Sequence, residues 1–216
     1  MEKTTRELRR TVVSYDVEGA MLAAKKAVEV GVDPLKAIED GLAQGIREVG
    51  NKFGKGEIFL PELVMAAEAM KKALEVLEPE LKRKKKERKT LGRVLLGTVA
   101  GDIHSIGKTI VAAMLTANGF EVYDLGEDVP TERFVEKVRE LKPDLLGLSA
   151  LLTTTLPAQE VVIETLKREG LRKTLKVIIG GAPASKEWAE KIGADGYGAN
   201  AVEAVQVSKK LLGTSK

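Results

Sequence analysis

The chain of 216 residues is 44% hydrophobic and 31% charged, with 21 Gly, 7 Pro and no Cys. This composition excludes disordered, collagen-like and disulfide-rich proteins, and it allows one large or two small domains with a buried core. Because 35 Lys and Arg stand against 32 Asp and Glu, the net charge is only +3 and no nucleic-acid partner is predicted. The missing Cys excludes zinc ribbons, iron–sulfur clusters and thiol nucleophiles, and the single His excludes sites with two imidazoles.

The N-terminal segment MEKTTRELRR is charged, and no apolar signal segment follows it. No stretch approaches the roughly 20 apolar residues that a membrane-spanning helix needs. The sequence therefore predicts a cytoplasmic protein without a membrane partner.

Residues 1–88 carry apolar residues at helical spacing, which predicts an all-α bundle of four helices. The third helix has the clearest start signal, an Asp at the N-cap followed by Pro in the first turn. The last two helices are joined by a loop, residues 53–59, that is unusually apolar for an exposed turn. The predicted boundaries are a first helix near 4–13, a second ending near Gly31, a third opening at Asp33-Pro34 and a fourth opening at Pro61.

A basic run from Lys82 to Lys89 separates two halves with different periodicity. It contains no aromatic residues, which favours a solvated helix end or linker over a nucleic-acid patch. We therefore expect a helical domain over 1–88 and a second domain over 89–216.

In the second half, short β-branched runs alternate with amphipathic helices, which predicts an α/β domain with a five-stranded parallel sheet. Five strands in this length fit the flavodoxin-like (Rossmann-like) order 2-1-3-4-5, in which ligands bind beyond the carboxyl ends of strands 1 and 3. The predicted strands are Val94–Val99, Glu121–Leu125, Leu145–Ser149, Val177–Ile179 and Gly196–Tyr197, and the predicted helices cover about 106–118, 131–141, 157–169, 185–192 and 200–212.

The loop after the first predicted strand ends in Gly107-Lys108-Thr109, as a phosphate-binding loop does. A P-loop places four residues between its first Gly and the Gly-Lys pair, whereas five separate Gly101 from Gly107. The position that requires glycine is Asp102, whose carboxylate would repel phosphate. This spacing argues against nucleoside triphosphate binding.

The same loop carries His104, the only histidine, two residues after Asp102. A lone histidine is most often a surface or helix-capping residue. Here, however, Asp102 could accept the N–H of one ring nitrogen and leave the other nitrogen to bind a metal. One imidazole cannot hold a bare transition ion, which needs three or four protein ligands, but it suffices as the axial ligand of a metal held by a macrocycle.

Two further loops are predicted at the same edge of the sheet. Residues 149–155 contain several hydroxyls, which can hydrogen-bond Asp102 or a polar ligand. Thr154 or Thr155 could instead cap the helix that follows. The pair Gly180-Gly181 removes side chains at a strand end, so a bulky ligand could approach the backbone closely.

Taken in order, these motifs resemble those of cobalamin-binding domains. Asp102-x-His104-x-x-Gly107, Ser149-x-Leu151 and Gly180-Gly181 follow the family's Asp-x-His-x-x-Gly, Ser-x-Leu and Gly-Gly pattern. The segment Gly56-Glu57-Ile58-Phe59-Leu60-Pro61-Glu62 is similar to the helical cap domain that precedes them in methyl-carrying corrinoid proteins and in methionine synthase. The resemblance covers nearly the whole chain and implies a helical cap followed by a domain that binds cobalamin or a related corrinoid.

The resemblance also implies a role for each matching residue. His104 would be the lower axial ligand of cobalt, with Asp102 as its hydrogen-bond partner. Gly101, Ile103, Ser105 and Ile106 would complete the cofactor-binding loop. The channel for the displaced nucleotide tail would be lined by Gly107, Ser149, Leu151, Gly180 and Gly181, with Thr153 or Thr155 as polar support, and the upper face would be covered by Phe59, Leu60 and Met65.

Because the chain offers a cofactor site but no catalytic nucleophile, paired acids or substrate pocket, the resemblance implies a carrier subunit rather than a complete catalyst. The cobalt would carry a methyl group between partner proteins. One methyltransferase would take the methyl from methanol, a methylamine, a betaine or a methoxylated aromatic. A second would pass it to tetrahydrofolate or a thiol, and a reductive activating protein would maintain the cofactor.

Two other functions remain open. A cobalamin-dependent sensor or regulator also pairs helices with such a domain, but the N-terminal helices here show no recognition-helix pattern and carry acidic residues. The small subunit of an adenosylcobalamin mutase would normally lack the helical cap. Methyl or aquo cobalt as the bound form would favour the carrier, whereas tightly bound adenosylcobalamin would favour either alternative.

Overall fold

A computed structural model describes residues 2–84 and 90–214. The chain divides into two compact units, one formed by residues 1–89 with 116–119 and the other by residues 90–115 with 120–216. Part of the predicted basic linker, residues 85–89, lies outside the described residues. Within the described part of the chain, no helix combines the length and the apolar character needed to cross a bilayer.

The first unit is helical, as the spacing of its apolar residues predicts. Its third helix runs continuously through a π-helical segment, so the described residues form the four predicted helices. Asp33 marks the start of that helix, since its Oδ1 accepts a 3.0 Å hydrogen bond from the Leu35 N–H. The elements are α1 (Glu2–Val13), α2 (Val17–Glu29), α3 (Pro34–Lys36), the π-helical segment (Ala37–Leu42), α4 (Ala43–Gly54) and α5 (Leu60–Arg83).

Small side chains let the helices of this unit approach closely. The buried residues of α2 are all alanines, and α2 packs along α5, where three further alanines are buried. Two glycines do the same beneath α1: a Cβ on Gly41 would lie 3.0 Å from the Cβ of Leu8, and one on Gly45 would lie 3.0 Å from the Arg9 carbonyl oxygen. The core of this unit therefore combines short interhelical distances with large buried aliphatic side chains such as Leu8, Ile46 and Leu77.

The second unit contains a parallel sheet with the predicted strand order β2-β1-β3-β4-β5. Each predicted strand is present, with ends that differ by one residue or less. Near-continuous burial of the central strands explains their apolar runs. The strands are β1 (Arg93–Thr98), β2 (Glu121–Asp124), β3 (Leu145–Ser149), β4 (Lys176–Gly180) and β5 (Gly196–Tyr197), all paired in parallel.

Five helices connect and follow these strands, and three of them share one hydrophobic core with the sheet. Phe134, Ile163 and Ile192 contribute one fully or almost fully buried side chain from each of those three helices. The helices are α6 (Ile106–Ala117), α7 (Thr131–Leu141), α8 (Pro157–Arg168), α9 (Lys186–Ile192) and α10 (Ala201–Leu211). This arrangement leaves the loops after β1, β2, β3 and β4 together at the carboxyl edge of the sheet.

Candidate cofactor site

The loop between β1 and α6 is organised around Asp102, whose side chain is completely buried. Its Oδ1 accepts hydrogen bonds from the backbone N–H of His104 (3.0 Å) and from Nδ1 of the same residue (2.8 Å). Its Oδ2 accepts hydrogen bonds from the Thr155 hydroxyl (2.6 Å) and from the backbone N–H groups of Leu151 (2.7 Å) and Leu152 (3.3 Å). One carboxylate therefore joins the loop after β1 to the loop after β3.

These donors decide the ionisation state of the site. Burial raises the pKa of Asp102, but the hydrogen bonds from Thr155, His104 and Leu151 outweigh burial and hold the pKa well below its ordinary value. An ionised carboxylate only accepts hydrogen bonds, so Nδ1 of His104 must carry the hydrogen between them. In the neutral form of the imidazole the lone pair then resides on Nε2, which is the nitrogen that a metal would bind.

The surroundings of His104 suit a large apolar ligand. The imidazole side chain is 46% exposed. Around it, the two loops expose large aliphatic side chains that are between 41% and 71% accessible, a combination that favours a binding surface. These side chains are Ile103, Ile106, Leu151 and Leu152. A half-exposed imidazole in loops that also expose aliphatic side chains fits a corrin macrocycle approaching this edge of the sheet.

The threonines after β3 have separate roles. Thr155 is buried and donates its one hydroxyl hydrogen to Asp102, the shorter of its two contacts, while its Oγ1 also lies 3.0 Å from the Leu152 carbonyl oxygen. The N-cap of α8 is Leu156, and no side chain caps this helix, so the capping role considered for Thr154 or Thr155 is wrong. Thr153 is exposed. Thr155 thus supports Asp102. Of Thr153 and Thr155, only Thr153 has a hydroxyl group that a ligand could reach.

The glycine pair after β4 allows two backbones to approach. Gly181 has a φ of +123°, and a Cβ built on it would lie only 1.7 Å from the carbonyl oxygen of Ala150. The N–H of Ala150 in turn donates a 3.2 Å hydrogen bond to the Gly180 carbonyl oxygen. Any residue larger than glycine at 181 would therefore force the loops after β3 and β4 apart.

A buried glutamine, which the sequence analysis missed, holds the same two strands. Nε2 of Gln159 donates to the carbonyl oxygens of Leu148 and Gly180, both over 3.1 Å, and the side chain is fully buried. Its Oε1 accepts a 3.1 Å hydrogen bond from the indole N–H of Trp188. A glutamine on the inward face of a predicted helix is the sequence signal that could have identified it.

Asp128, in the loop between β2 and α7, is a second residue of the site that the sequence motifs do not include. Its Oδ1 accepts a 2.7 Å hydrogen bond from the Gly101 N–H, and its own N–H donates to the Asp102 carbonyl oxygen over 2.9 Å. This loop follows β2 and therefore lies outside the three loops that the sequence places at the expected crevice. Its Asp, following Gly126 in a turn-rich segment, was the available signal.

Lys108, the residue that made this loop look like a phosphate-binding loop, is buried. Its ammonium group forms an ion pair with both carboxylate oxygens of Asp124 at the end of β2. Asp124 also accepts a 2.9 Å hydrogen bond from the Gly126 N–H. Lys108 is thus engaged in fixing α6 to β2 and does not point to a phosphate site.

The remaining predicted residues lie as follows. Ser149 is half-buried at the end of β3, and Gly107 lies in the first turn of α6, where a Cβ built on it would meet no atom within 4 Å apart from its chain neighbours and the backbone of its own helix. Ser105 precedes α6, and its carbonyl oxygen accepts the Thr109 N–H over 2.8 Å. In the helical unit, Phe59 and Met65 are 75% and 50% exposed, and Leu60 is half-buried. Phe59 precedes α5, and its N–H donates to the Glu62 carboxylate over 3.2 Å.

Comparison with known protein families gives two matches that together cover most of the chain. A family described as a B12 binding domain matches residues 92–206, and a second family with the same description matches residues 4–78. The first match contains the loops around Asp102, Thr155 and Gly181.

Curated relatives match over almost their full length. The chain is 48% identical over 211 residues to the trimethylamine corrinoid protein of Methanosarcina barkeri, covering 98% of this chain and 97% of the relative. It is 49% identical over 211 residues to dimethylamine corrinoid protein 2 of Methanosarcina acetivorans, with the same coverage.

Two solved structures extend the comparison. A chain in the methanol:cobalamin methyltransferase complex MtaBC from Methanosarcina barkeri superposes with a TM-score of 0.85 at 30% identity, covering 100% of this chain and 81% of that one. The Methanosarcina barkeri monomethylamine corrinoid protein gives a TM-score of 0.55 at 42% identity, with coverages of 97% and 99%.

Proposed function

Because the chain belongs to the corrinoid proteins, which are built from B12-binding domains, we propose that it carries a methyl group taken from a methylamine. Its cofactor is a corrinoid, and its general role is that of a corrinoid protein in a methyltransferase system. The observation that carries the proposal is the geometry at His104, where the buried Asp102 carboxylate fixes Nδ1 and leaves Nε2 free to bind a metal.

The degree of similarity supports a methylamine as the methyl donor. Relatives named for trimethylamine and dimethylamine are 46% to 49% identical to this chain, and the one named for monomethylamine is 42% identical. The matching chain in the methanol:cobalamin methyltransferase complex is only 30% identical. The donor range expected from the sequence, which included methanol, betaines and methoxylated aromatics, therefore narrows to methylamines.

Each residue of the site has a role in holding the cofactor. When bound, a corrinoid supplies a cobalt ion that accepts and releases a methyl group. His104 would provide the lower ligand through Nε2, and Asp102 would keep the imidazole in the required tautomer and orientation. Ile103, Ile106 and Leu151 would exclude water from the lower side of the macrocycle.

The nucleotide tail would be received by residues without bulky side chains. Gly107 leaves open space at the carboxyl edge of the sheet, Gly180 and Gly181 lie half-buried at the same edge, and Ser149 and Thr153 add hydroxyl groups. We propose further that residues 1–88 act as a cap on the 89–216 domain, with Phe59, Leu60 and Met65 facing the cofactor. The exposure of Phe59 and Met65 supports this role, because large exposed apolar side chains are costly unless something covers them.

The proposed partners follow from this role. A methylamine-specific methyltransferase would deliver the methyl group, a second methyltransferase would pass it to a thiol or to tetrahydrofolate, and a reductive activating protein would maintain the cofactor. The solved complex MtaBC supports the first partner. One chain of that methanol:cobalamin methyltransferase complex superposes on this chain.

Anaerobic reconstitution tests the proposal. The protein is loaded with hydroxocobalamin, reduced, and mixed with a trimethylamine or dimethylamine methyltransferase and the matching amine, while the visible spectrum is followed. We expect amine-dependent methylation of the cofactor, with no methylation from methanol and a methanol methyltransferase. Exclusive tight binding of adenosylcobalamin, with no methylation by any of these partners, would favour the sensor instead.

A further inference from the structure

We propose that Asp128 is a positioning residue that sets the conformation of the loop Gly101–His104, and thereby the fraction of bound corrinoid that takes His104 as its lower ligand. The inference rests on the proposed function, because it assumes that His104 ligates cobalt. It adds a residue from a third loop, between β2 and α7, that none of the sequence motifs includes.

Two hydrogen bonds tie this residue to the backbone immediately before His104. Oδ1 of Asp128 accepts the Gly101 N–H over 2.7 Å, and the Asp128 N–H donates to the Asp102 carbonyl oxygen over 2.9 Å. Asp128 thus accepts a hydrogen bond from the Gly101 N–H and donates one to the carbonyl oxygen of the next residue, Asp102. The Asp102 side chain accepts a hydrogen bond from the His104 N–H. The Asp102 carbonyl group belongs to the short stretch of backbone that connects these two groups.

The backbone conformations on both sides of this contact are unusual. Asp128 has a φ of +51° and Gly101 a φ of +80°. Asp and Asn tolerate the left-handed region better than other side chains, and glycine occupies it freely. Because an Asp adopts this conformation in a turn that could have used glycine, the carboxylate provides something that glycine lacks, namely the acceptor for Gly101.

The rest of the loop is held independently, which isolates the contribution of Asp128. The backbone of Thr98 donates to the Gly126 carbonyl oxygen over 3.0 Å, and its hydroxyl donates to the His104 carbonyl oxygen over 3.2 Å. Val99 pairs with Val129 in an isolated parallel bridge. These contacts fix both ends of the loop, so losing the Asp128 carboxylate frees the segment at Gly101 without releasing the loop after β2.

The consequence concerns the direction of the imidazole. None of the five donors to the Asp102 carboxylate belongs to Asp128, so its variants leave those donors in the chain. The backbone that carries Asp102 and His104 loses one of its fixed points, however. We therefore expect Nε2 to point toward the metal in a smaller fraction of molecules, while the corrinoid stays bound through the tail channel.

Three substitutions separate the carboxylate from the backbone conformation. D128N keeps an acceptor oxygen and tolerates the positive φ, D128G keeps only the tolerance of the positive φ, and D128A keeps neither. E127A is the matched control, because Glu127 is exposed in the same loop. Each variant is prepared as full-length protein, without and with cobalamin.

Two measurements are made on every variant. Amide hydrogen exchange of Gly101 in the cofactor-free protein reports the hydrogen bond to Asp128. Electron paramagnetic resonance of the Co(II) form, with nitrogen-15 in the protein histidine, reports the fraction with His104 on cobalt. We expect D128G and D128A to exchange Gly101 about tenfold faster and to lose most of the histidine hyperfine signal. D128N and E127A should match the wild type in both.

The outcomes distinguish this inference from the proposed function. Faster exchange at Gly101 with an unchanged histidine signal in D128G overturns the inference alone, and so does wild-type exchange in both D128G and D128A. A wild-type protein whose spectrum ignores the histidine label overturns the ligand assignment under the proposed function, and the inference with it. Loss of the histidine hyperfine signal in D128G, together with a wild-type signal in D128N, supports the inference. A general destabilisation of the loop would not depend on whether residue 128 keeps an acceptor oxygen.

Discussion

Thr155 donates its hydroxyl hydrogen to Oδ2 of Asp102 over 2.6 Å, although the two residues are 53 positions apart in the chain. A buried carboxylate without donors is costly, and this bond comes from the loop after β3 rather than from the loop that carries Asp102. The site therefore combines residues from the loops after two different strands. The hydrogen bonds to Asp102 form only when the fold brings these loops together.

The first prediction concerns this hydroxyl. Thr155→Val keeps the side-chain shape but removes the donor, so we expect the free energy of unfolding to fall by about 2 kcal/mol, the usual value for a hydrogen bond to a charged group. Urea denaturation of the cofactor-free protein measures it. Thr155→Ser should restore most of the loss, and Thr153→Val, at an exposed position, should change little. An equal loss in both valine variants would contradict the assignment.

The second prediction concerns pH. Since the folded protein holds the pKa of Asp102 below its ordinary value of 3.8, the unfolded chain binds the proton more readily. The stabilisation is therefore complete above about pH 5 and is lost as the pH falls through 4 and below. Asp102→Asn should be less stable than the wild type by about 2–4 kcal/mol at pH 7, since it leaves backbone donors without a charged acceptor.

The difference between wild type and Asp102→Asn should shrink below pH 4, as followed by urea denaturation across a pH series. Glu127→Gln removes an exposed carboxylate nearby and should show no such difference. A gap between wild type and Asp102→Asn that stays constant down to pH 3 would mean that folding does not lower the pKa of Asp102.

The third prediction compares two glycines with positive φ. Gly181→Ala places a Cβ against the Ala150 carbonyl oxygen and should cost about 3 kcal/mol or more, whereas Gly170→Ala meets no neighbour and should cost only about 1 kcal/mol from its backbone conformation. Thermal or urea unfolding distinguishes them. Similar losses in both variants would show that the approach of the two loops is not as close as described.

The fourth prediction separates binding from stability. Gly107 lies in the first turn of α6 with open space around it, so Gly107→Ala should leave the cofactor-free protein as stable as the wild type or up to about 1 kcal/mol more stable. If this space receives the corrinoid, affinity should fall about tenfold or more, as one misplaced methyl group can cost over 1 kcal/mol. Equilibrium titration with cobalamin measures it. Undiminished affinity would remove Gly107 from the proposed channel.

The fifth prediction concerns the ligand itself. His104→Ala should keep part of the bound cobalamin through the tail channel but lose the protein nitrogen from the Co(II) spectrum. His104→Gln, whose side chain is similar in length, should behave in the same way, because an amide does not replace the imidazole lone pair. Complete loss of cobalamin from both variants would show that His104 contributes to retention as well as to coordination.

The sequence predicted those parts of the molecule that depend on local patterns. Strand order, strand ends and the start of the third helix at Asp33 are confirmed, since alternating elements and capping residues are encoded within short segments. The π-helical segment was not foreseen, because it arises where α1 packs against Gly41. Tertiary packing of this kind has no periodicity that a single sequence reveals.

The candidate site shows the same division. Asp102 and His104 are two residues apart, so their hydrogen bond could be expected from the sequence. For Asp128 and Gln159 the sequence offered only a residue type in a suggestive place, and their hydrogen-bond partners on other strands could not be predicted from it. The choice between helix capping and Asp102 for Thr155 needed the position of the loop after β3. Motifs thus indicated the residues that we propose contact the ligand, and the fold was needed to identify the residues that hold them.

The hydrogen bond from Trp188 to Gln159 makes tryptophan fluorescence a natural probe of the carboxyl edge of the sheet. The chain has one tryptophan, so all indole fluorescence comes from a ring hydrogen-bonded to the side chain that joins the carboxyl ends of β3 and β4. Corrinoids absorb strongly in the near ultraviolet and visible range, so a bound cofactor would quench this emission by energy transfer. Emission intensity and wavelength would then follow, without any added label, both the arrival of the cofactor and any opening of that edge of the sheet.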